Sequence, residues 1–91
     1  MATTKIKAAV CTEFGAPLQI ETLDLAAPKK DEVQVRLEAV AICHSDITFA
    51  DGGWGGDLPA VYGHEAAGRV THLGPDVTDL QVGDPVLVSL I

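Results

Sequence analysis

The chain has 91 residues, of which 47% are hydrophobic and 21% charged, and its formal net charge is −7. That length suits one small domain, and the composition excludes a disordered or collagen-like chain. Acidic side chains repel phosphate backbones and anionic lipids, so neither nucleic acid nor a membrane is an expected partner. No apolar run approaches the roughly 20 residues of a membrane helix, and no signal peptide is indicated, so the protein is expected to be cytoplasmic.

A side-chain period of two dominates the chain and predicts β-strands. It is clearest in residues 32–41, where Val33, Val35, Leu37 and Ala39 alternate with polar residues. The other predicted strands are residues 7–11, 18–22, 68–73 and 85–89, with glycine- and proline-containing turns between them. Short strands at this spacing predict a sandwich or a barrel.

Two stretches depart from the strand pattern. Residues 43–50 are predicted to form a short helix, with Ser45 as a possible N-cap and Asp46 in its first turn. Residues 51–59 contain four glycines and are expected to form a loop, the kind of segment that often carries function on a β scaffold. Residues 85–91 form a hydrophobic stretch with no turn or cap after it, so the domain is expected to be truncated.

Cys43 and His64 are the side chains best suited to chemistry. Thiolate and imidazole are ligands that zinc prefers, and the glycine loop between the two residues would let them converge. A catalytic zinc site uses three protein ligands, so a third would come from outside this segment. A cysteine and a histidine this far apart are more often unrelated, and Asp46 and Glu65 are then only a helix N-terminal charge and a solvated carboxylate.

Three segments resemble the zinc-dependent alcohol dehydrogenases of the medium-chain dehydrogenase/reductase family. The first is GHE at 63–65 with Gly68, Gly74 and Val77, which resembles the family's zinc signature. The second is CHSD at 43–46, which resembles its catalytic-zinc segment, and the third is VGD at 82–84, which resembles its turn before a strand. The resemblance runs over essentially the whole chain. It implies a mainly β fold, the GroES-like partly open β-barrel with a short helix, and makes residues 1–91 a truncated N-terminal catalytic domain. No glycine-rich dinucleotide motif occurs, so the family's α/β Rossmann domain is absent from this chain.

The resemblance also implies a function. The full-length protein would be an oxidoreductase that interconverts small alcohols with aldehydes or ketones, using zinc and NAD or NADP, and would be a homo-oligomer. Cys43 and His64 would be zinc ligands, with Glu65 behind the metal and able to approach it. The third ligand would be a cysteine well downstream, so the chain alone is expected to be inactive.

The neighbouring residues receive roles from the same resemblance. Ser45 would accept a hydrogen bond from the alcohol and start the path of its proton, and Asp46 would orient His64. His44 would lie near the cofactor pyrophosphate, and Trp54 would be a substrate-pocket aromatic that favours small alcohols. Thr48 departs from the pattern, because better-known members have a histidine there that completes the proton relay.

Three other functions are alternative hypotheses. A thiol-dependent formaldehyde dehydrogenase of the same family is not separated from an alcohol dehydrogenase by these residues. A zinc-free quinone reductase or a binding module akin to co-chaperonin subunits would have no need of the Cys43–His64 pair.

Cys11 is expected to be a small apolar filler of a strand, and His72 a surface histidine.

Overall fold

The computed structural model describes residues 3–89, and in that range it has five strands and one helix. The strands are β1 (Thr3–Val10), β2 (Gln19–Ala26), β3 (Val33–Val40), β4 (Ala66–Leu73) and β5 (Pro85–Val88), and the helix α1 is His44–Ala50. Each strand overlaps one that the period of two predicts, so the mainly β prediction is confirmed. Residues 90 and 91, the end of the predicted hydrophobic stretch, lie outside the described residues.

The strands form two antiparallel sheets. One sheet has the order β1-β2 and the other has the order β3-β4-β5. The β1–β2 connection turns at Gly15, whose φ of 78° lies in the region that glycine adopts without strain. β3 and β4 are joined by a long connection that contains α1 and the glycine loop. Because β3 and β4 are antiparallel, that connection begins and ends at the same edge of the sheet.

The apolar face of β3 is covered along only part of its length. Val33 and Val35 are half-buried, whereas Leu37 is 52% exposed and Ala39 is exposed. The pairing of β3 with β4 also shifts register between Leu37 and Ala39. The half-buried strand predicted from the alternation is therefore correct in its first half, while its second half presents an apolar face that no described residue covers.

Two backbone contacts outside the sheets fix the long connection against the end of β1. Cys11 and Ala60 exchange N–H···O=C hydrogen bonds of 2.8 and 3.0 Å, and the Gly15 N–H donates to the Ala50 carbonyl at 2.9 Å. Cys11 is only 1% exposed, which confirms its predicted role as an apolar filler. It lies just beyond β1, and both it and Cys43 are free thiols.

The buried core of the described residues is small and consists of Val10, Cys11 and Val70. Large apolar side chains elsewhere are exposed, most of all Leu87 at 83% and Ile42 at 79%. A modest core is expected of a chain this short, because small domains bury a lower share of their surface. Within residues 3–89 there is no helix long and apolar enough to cross a membrane.

The close approach of β3 to β4 depends on Gly68. A Cβ atom at this position would collide with the Arg36 carbonyl oxygen and would lie 2.8 Å from Val35 Cγ1. We expect Gly68→Ala to lower the free energy of unfolding by about 1–3 kcal/mol, the cost typical of overpacking. Urea unfolding followed by circular dichroism measures this change. Ala39→Ser adds one atom at an exposed position of the same strand pair, and it should change stability by about 0.5 kcal/mol or less.

An unfolding midpoint for Gly68→Ala equal to that of the unsubstituted chain would show that β3 and β4 are farther apart than described.

Candidate metal centre

The pairing of β3 with β4 brings the two chemistry-bearing segments together. Val40, the last residue of β3, is opposite Ala66, the first residue of β4, and the Ala41 N–H donates to the Glu65 carbonyl at 2.9 Å. Cys43 follows shortly after this pair, and His64 shortly precedes it. The two residues are 21 positions apart in sequence but lie at one edge of the sheet.

The side chains of Cys43, His64 and Glu65 converge at this edge. One ligand atom from each residue, namely a sulfur, a ring nitrogen and a carboxylate oxygen, lies within 4.8 Å of the other two. Tetrahedral zinc with bonds of about 2.0–2.3 Å places two ligand atoms roughly 3.3–3.8 Å apart, so a movement of about 1 Å would bring the three atoms onto one ion. This donor set is also the one that zinc prefers. The residues therefore fit a zinc ion, with Cys43 and His64 half-buried and Glu65 exposed.

The Asp46 carboxylate contacts both of the half-buried residues. Its Oδ2 accepts a hydrogen bond from the Cys43 N–H at 3.2 Å, and its Oδ1 lies 3.4 Å from His64 Nδ1. The Asp46 and His64 side chains are only 16% and 22% exposed. A carboxylate at this position favours the tautomer with the proton on Nδ1, which leaves the Nε2 lone pair available to a metal.

The start of α1 differs from the sequence prediction. Cys43 is the N-cap and the helix begins at His44, so Ser45 is its second residue and not its cap. The reason is the capping-box arrangement, in which Asp46 is the third helical residue and its side chain accepts the N–H of the cap residue. The Ser45 hydroxyl is therefore not used to cap the helix, and it is half-buried beside Cys43.

Thr48 lies one turn further along α1. Its hydroxyl donates to the His44 carbonyl at 3.3 Å, a bond back to the preceding turn. The proton of this hydroxyl is thus directed at the backbone. His44 is exposed at the first helical position.

Three of the four aromatic residues form a cluster within the segment between Cys43 and His64. We call Phe49, Trp54 and Tyr62 the aromatic cluster. The Phe49 ring stacks on Tyr62 with centroids 5.4 Å apart, and it meets Trp54 edge-on with centroids 4.7 Å apart. Aromatic pairs in such geometries contribute about 0.5–1.5 kcal/mol beyond their buried area.

Trp54 was predicted from the sequence as a site residue, whereas Phe49 and Tyr62 were not. A signal was present, since Phe49 lies in the predicted helix and Tyr62 lies two residues before His64. Partial desolvation, and then the neighbouring Cys11 thiol, raise the pKa of Tyr62 above its ordinary value of 10.0. The phenol therefore stays neutral well beyond physiological pH.

The third histidine is not part of the site. His72 is exposed on β4, as predicted, with Nδ1 3.1 Å from both Gln34 Nε2 and the Thr71 hydroxyl.

Comparison with known proteins agrees with this geometry. The sequence profile of the alcohol dehydrogenase GroES-like domain matches residues 29–91. The class-P alcohol dehydrogenase of Arabidopsis thaliana is 44% identical over 84 residues, which is 91% of this chain and 22% of that protein. The NDMA-dependent alcohol dehydrogenase of Amycolatopsis methanolica is 41% identical over 96% of this chain and 24% of its own length.

A solved structure shows the same fold. The alcohol dehydrogenase zinc-binding domain protein from Burkholderia ambifaria superposes with a TM-score of 0.89 at 44% identity, over 92% of this chain and 23% of that one. The chain thus spans less than a quarter of the length of these relatives, at their N-terminal part. With a profile match over more than half of its length, and with the GroES-like fold, the chain belongs to the alcohol dehydrogenase family of oxidoreductases.

Proposed function

We propose that this chain is the N-terminal part of the catalytic domain of a zinc-dependent alcohol dehydrogenase that interconverts alcohols with aldehydes or ketones. The observation that supports the proposal most is the convergence of Cys43, His64 and Glu65 within 4.8 Å. A zinc-free reductase or a binding module on the same scaffold gives no reason for these donors to meet.

Zinc, when bound, supplies a Lewis acid that lowers the pKa of a coordinated alcohol. Cys43 and His64 would hold it, and a cysteine downstream of residue 91 would complete the two-cysteine, one-histidine set known in alcohol dehydrogenases. Asp46 keeps His64 in the ligating tautomer through its contact with Nδ1. Glu65, which is exposed, would offer a carboxylate oxygen to the metal when the ligand set is incomplete.

Ser45 would accept the proton of the alcohol. It lies two residues after Cys43 in sequence, it is half-buried, and its hydroxyl is not used to cap the helix. A hydroxyl both accepts and donates, so Ser45 would pass the proton onward as it receives it. The relay would continue to solvent through water or through His44, because the Thr48 hydroxyl is committed to the His44 carbonyl.

The remaining parts of the reaction require sequence that this chain does not contain. The hydride acceptor would be NAD or NADP, bound mainly by a Rossmann domain whose helix N-terminus holds the pyrophosphate. His44 is exposed, as a residue that contacts this pyrophosphate would be. Trp54 would bound the substrate pocket and favour small alcohols. The complete protein would be a cytoplasmic homo-oligomer, and oxidation of a formaldehyde–thiol adduct is the alternative activity of the same site.

The zinc assignment is tested by removing each thiol in turn. In the complete polypeptide we expect Cys43→Ser to lose zinc and alcohol oxidation together, because one of three ligands is replaced by a poorer donor. Metal analysis and steady-state kinetics measure the two losses. Cys11→Ala is the matched control, since it removes the only other thiol of this chain, a buried one that is not among the converging donors, and it should retain zinc. Full zinc content and full activity in Cys43→Ser would refute the assignment.

The proton relay is tested on two hydroxyls of the same helix. We expect Ser45→Ala to lower kcat by about 10²- to 10⁴-fold, the range of general acid–base catalysis, with little change in cofactor binding. Thr48→Val should stay near the unsubstituted rate, because its hydroxyl serves only a backbone carbonyl. Equal turnover of Ser45→Ala and the unsubstituted enzyme, with the chemical step rate-limiting, would exclude Ser45 from the relay.

The third prediction concerns the 91-residue chain by itself. We expect no reduction of NAD or NADP with ethanol, because the sequence of this chain has no glycine-rich dinucleotide motif and His44 alone would not hold the cofactor. Any zinc should be weakly held and easily removed by a chelator, since its strongest donors are two residues and Glu65 is exposed. Absorbance of the reduced nicotinamide and competition with a chromogenic chelator provide the measurements. Steady turnover, or zinc held as tightly as by the complete protein, would contradict the prediction that the cofactor site and the third strong zinc ligand are not part of this chain.

A further inference from the structure

The aromatic cluster connects α1, the glycine loop and the segment before His64. The candidate metal centre and the proposed pocket depend on these three segments. Phe49 comes from α1, whose N-cap is Cys43, and Tyr62 precedes His64 by two residues. Trp54 comes from the glycine loop. Phe49 is the central ring, in contact with both of the others.

We propose that Phe49 is a positioning residue that determines substrate size selectivity by holding the Trp54 indole in one orientation. The proposal rests on the proposed function, because it takes Trp54 as a wall of the alcohol pocket. It adds that Phe49, on the helix that follows Cys43, determines the position of this wall.

The backbone that carries Trp54 is already fixed to α1. The Gly52 N–H donates to the Phe49 carbonyl at 3.0 Å, and the Gly53 N–H donates to the Thr48 carbonyl at 2.9 Å. A Cβ atom at Gly53 would lie 2.8 Å from Thr48 Cγ2, so the loop lies directly against the helix. These contacts hold the two residues before Trp54, so rotation of the Trp54 side chain is the freedom that Phe49 would limit.

The described ring contact of the exposed Trp54 indole is with Phe49. The Trp54 residue is 61% exposed, and within residues 3–89 the aromatic ring it contacts is that of Phe49. The edge-on geometry, with an angle of 80° between the ring planes, places the edge of one ring against the face of the other. Such contacts are directional, so they favour one indole orientation over its alternatives.

Phe49 itself is supported by a second ring contact, with Tyr62. Its ring lies nearly parallel to Tyr62, at 17°, and the segment before Tyr62 is tied to the end of β1 by the paired hydrogen bonds of Cys11 with Ala60. Support thus runs from the buried Cys11 through Tyr62 and Phe49 to Trp54. Without the Phe49 ring, the indole would lose its contact and occupy several orientations, and the pocket would no longer have one fixed size.

The first experiment reads the orientation of Trp54 directly. This indole is the only tryptophan of the 91-residue chain, so fluorescence and near-ultraviolet circular dichroism report on it alone among tryptophans. We expect Phe49→Leu to shift the emission to the red, lower its anisotropy and weaken the tryptophan dichroism, while Phe49→Tyr keeps the values of the unsubstituted chain. Phe14→Leu is the matched control, because Phe14 lies against Gly52 of the same loop and has no ring contact with Trp54.

The second experiment measures selectivity in the complete polypeptide. For Phe49→Leu we expect kcat/KM for ethanol relative to a bulky branched alcohol to fall about tenfold, the scale of discrimination by a hydrophobic pocket. The change should come from KM for the alcohols, with kcat for ethanol within about twofold. Phe49→Tyr should restore the ratio, and Phe14→Leu should leave it unchanged.

The outcomes separate this inference from the proposed function. If alcohols are oxidised and the ratio in Phe49→Leu equals that of the unsubstituted enzyme, the inference is wrong and the function stands. If no alcohol is oxidised, the proposed function fails, and unchanged tryptophan spectra in Phe49→Leu would by themselves overturn the positioning of Trp54. If Phe49→Leu of the short chain does not fold, the selectivity ratio of the complete polypeptide decides.

Discussion

The Asp46 carboxylate connects the start of α1 to the loop that carries His64. Through Oδ2 it accepts the N–H of Cys43, and through Oδ1 it faces His64 Nδ1 at 3.4 Å. A single side chain therefore sets where the helix begins, where the cysteine lies and which nitrogen of the histidine is free. The same carboxylate explains why Cys43 and not Ser45 caps the helix, and this keeps the serine hydroxyl available beside the candidate metal centre.

This local arrangement depends on the sheet, which places the segments of Cys43 and His64 at one edge. The pairing of Val40 with Ala66 fixes where β3 ends and β4 begins, and the Ala41–Glu65 hydrogen bond extends the pairing toward the site. The long connection between the two strands is thereby closed into a loop with its ends in contact. Its middle is held by Cys11 and by the aromatic cluster, so the glycine-rich segment is packed against α1 rather than free of it.

The rest of the structure is lightly buried by comparison. The core of the described residues is three side chains, while Leu87, Ile42 and Leu37 expose more than half of their surface. Burial of apolar area is the main source of folding free energy. The exposed apolar side chains of this domain therefore contribute little to its stability. The relatives are more than four times longer than the segment they share with this chain, and a surface of this kind suits contact with additional structure.

Much of this could be predicted from the sequence, and the reason is local. The period of two located all five strands, because alternation along a strand is a property of adjacent residues. The residue types of Cys43, His64 and Glu65, together with their family spacing, indicated zinc before any distance was known. Thr48 was recognised as a departure from the family pattern in the same way.

Tertiary structure alone decided the features that depend on residues far apart in sequence. Ser45 is a better capping residue than cysteine in isolation, yet Asp46 moves the helix start to Cys43 because its carboxylate is aligned with the Cys43 N–H and with His64 at once. The alternation in β3 could not show that Leu37 is left exposed, since burial depends on what covers a face. The contacts of Phe49 with Trp54 and Tyr62 could not be predicted either, because ring contacts are set by how the helix, the loop and the strand edge pack and not by spacing along the chain.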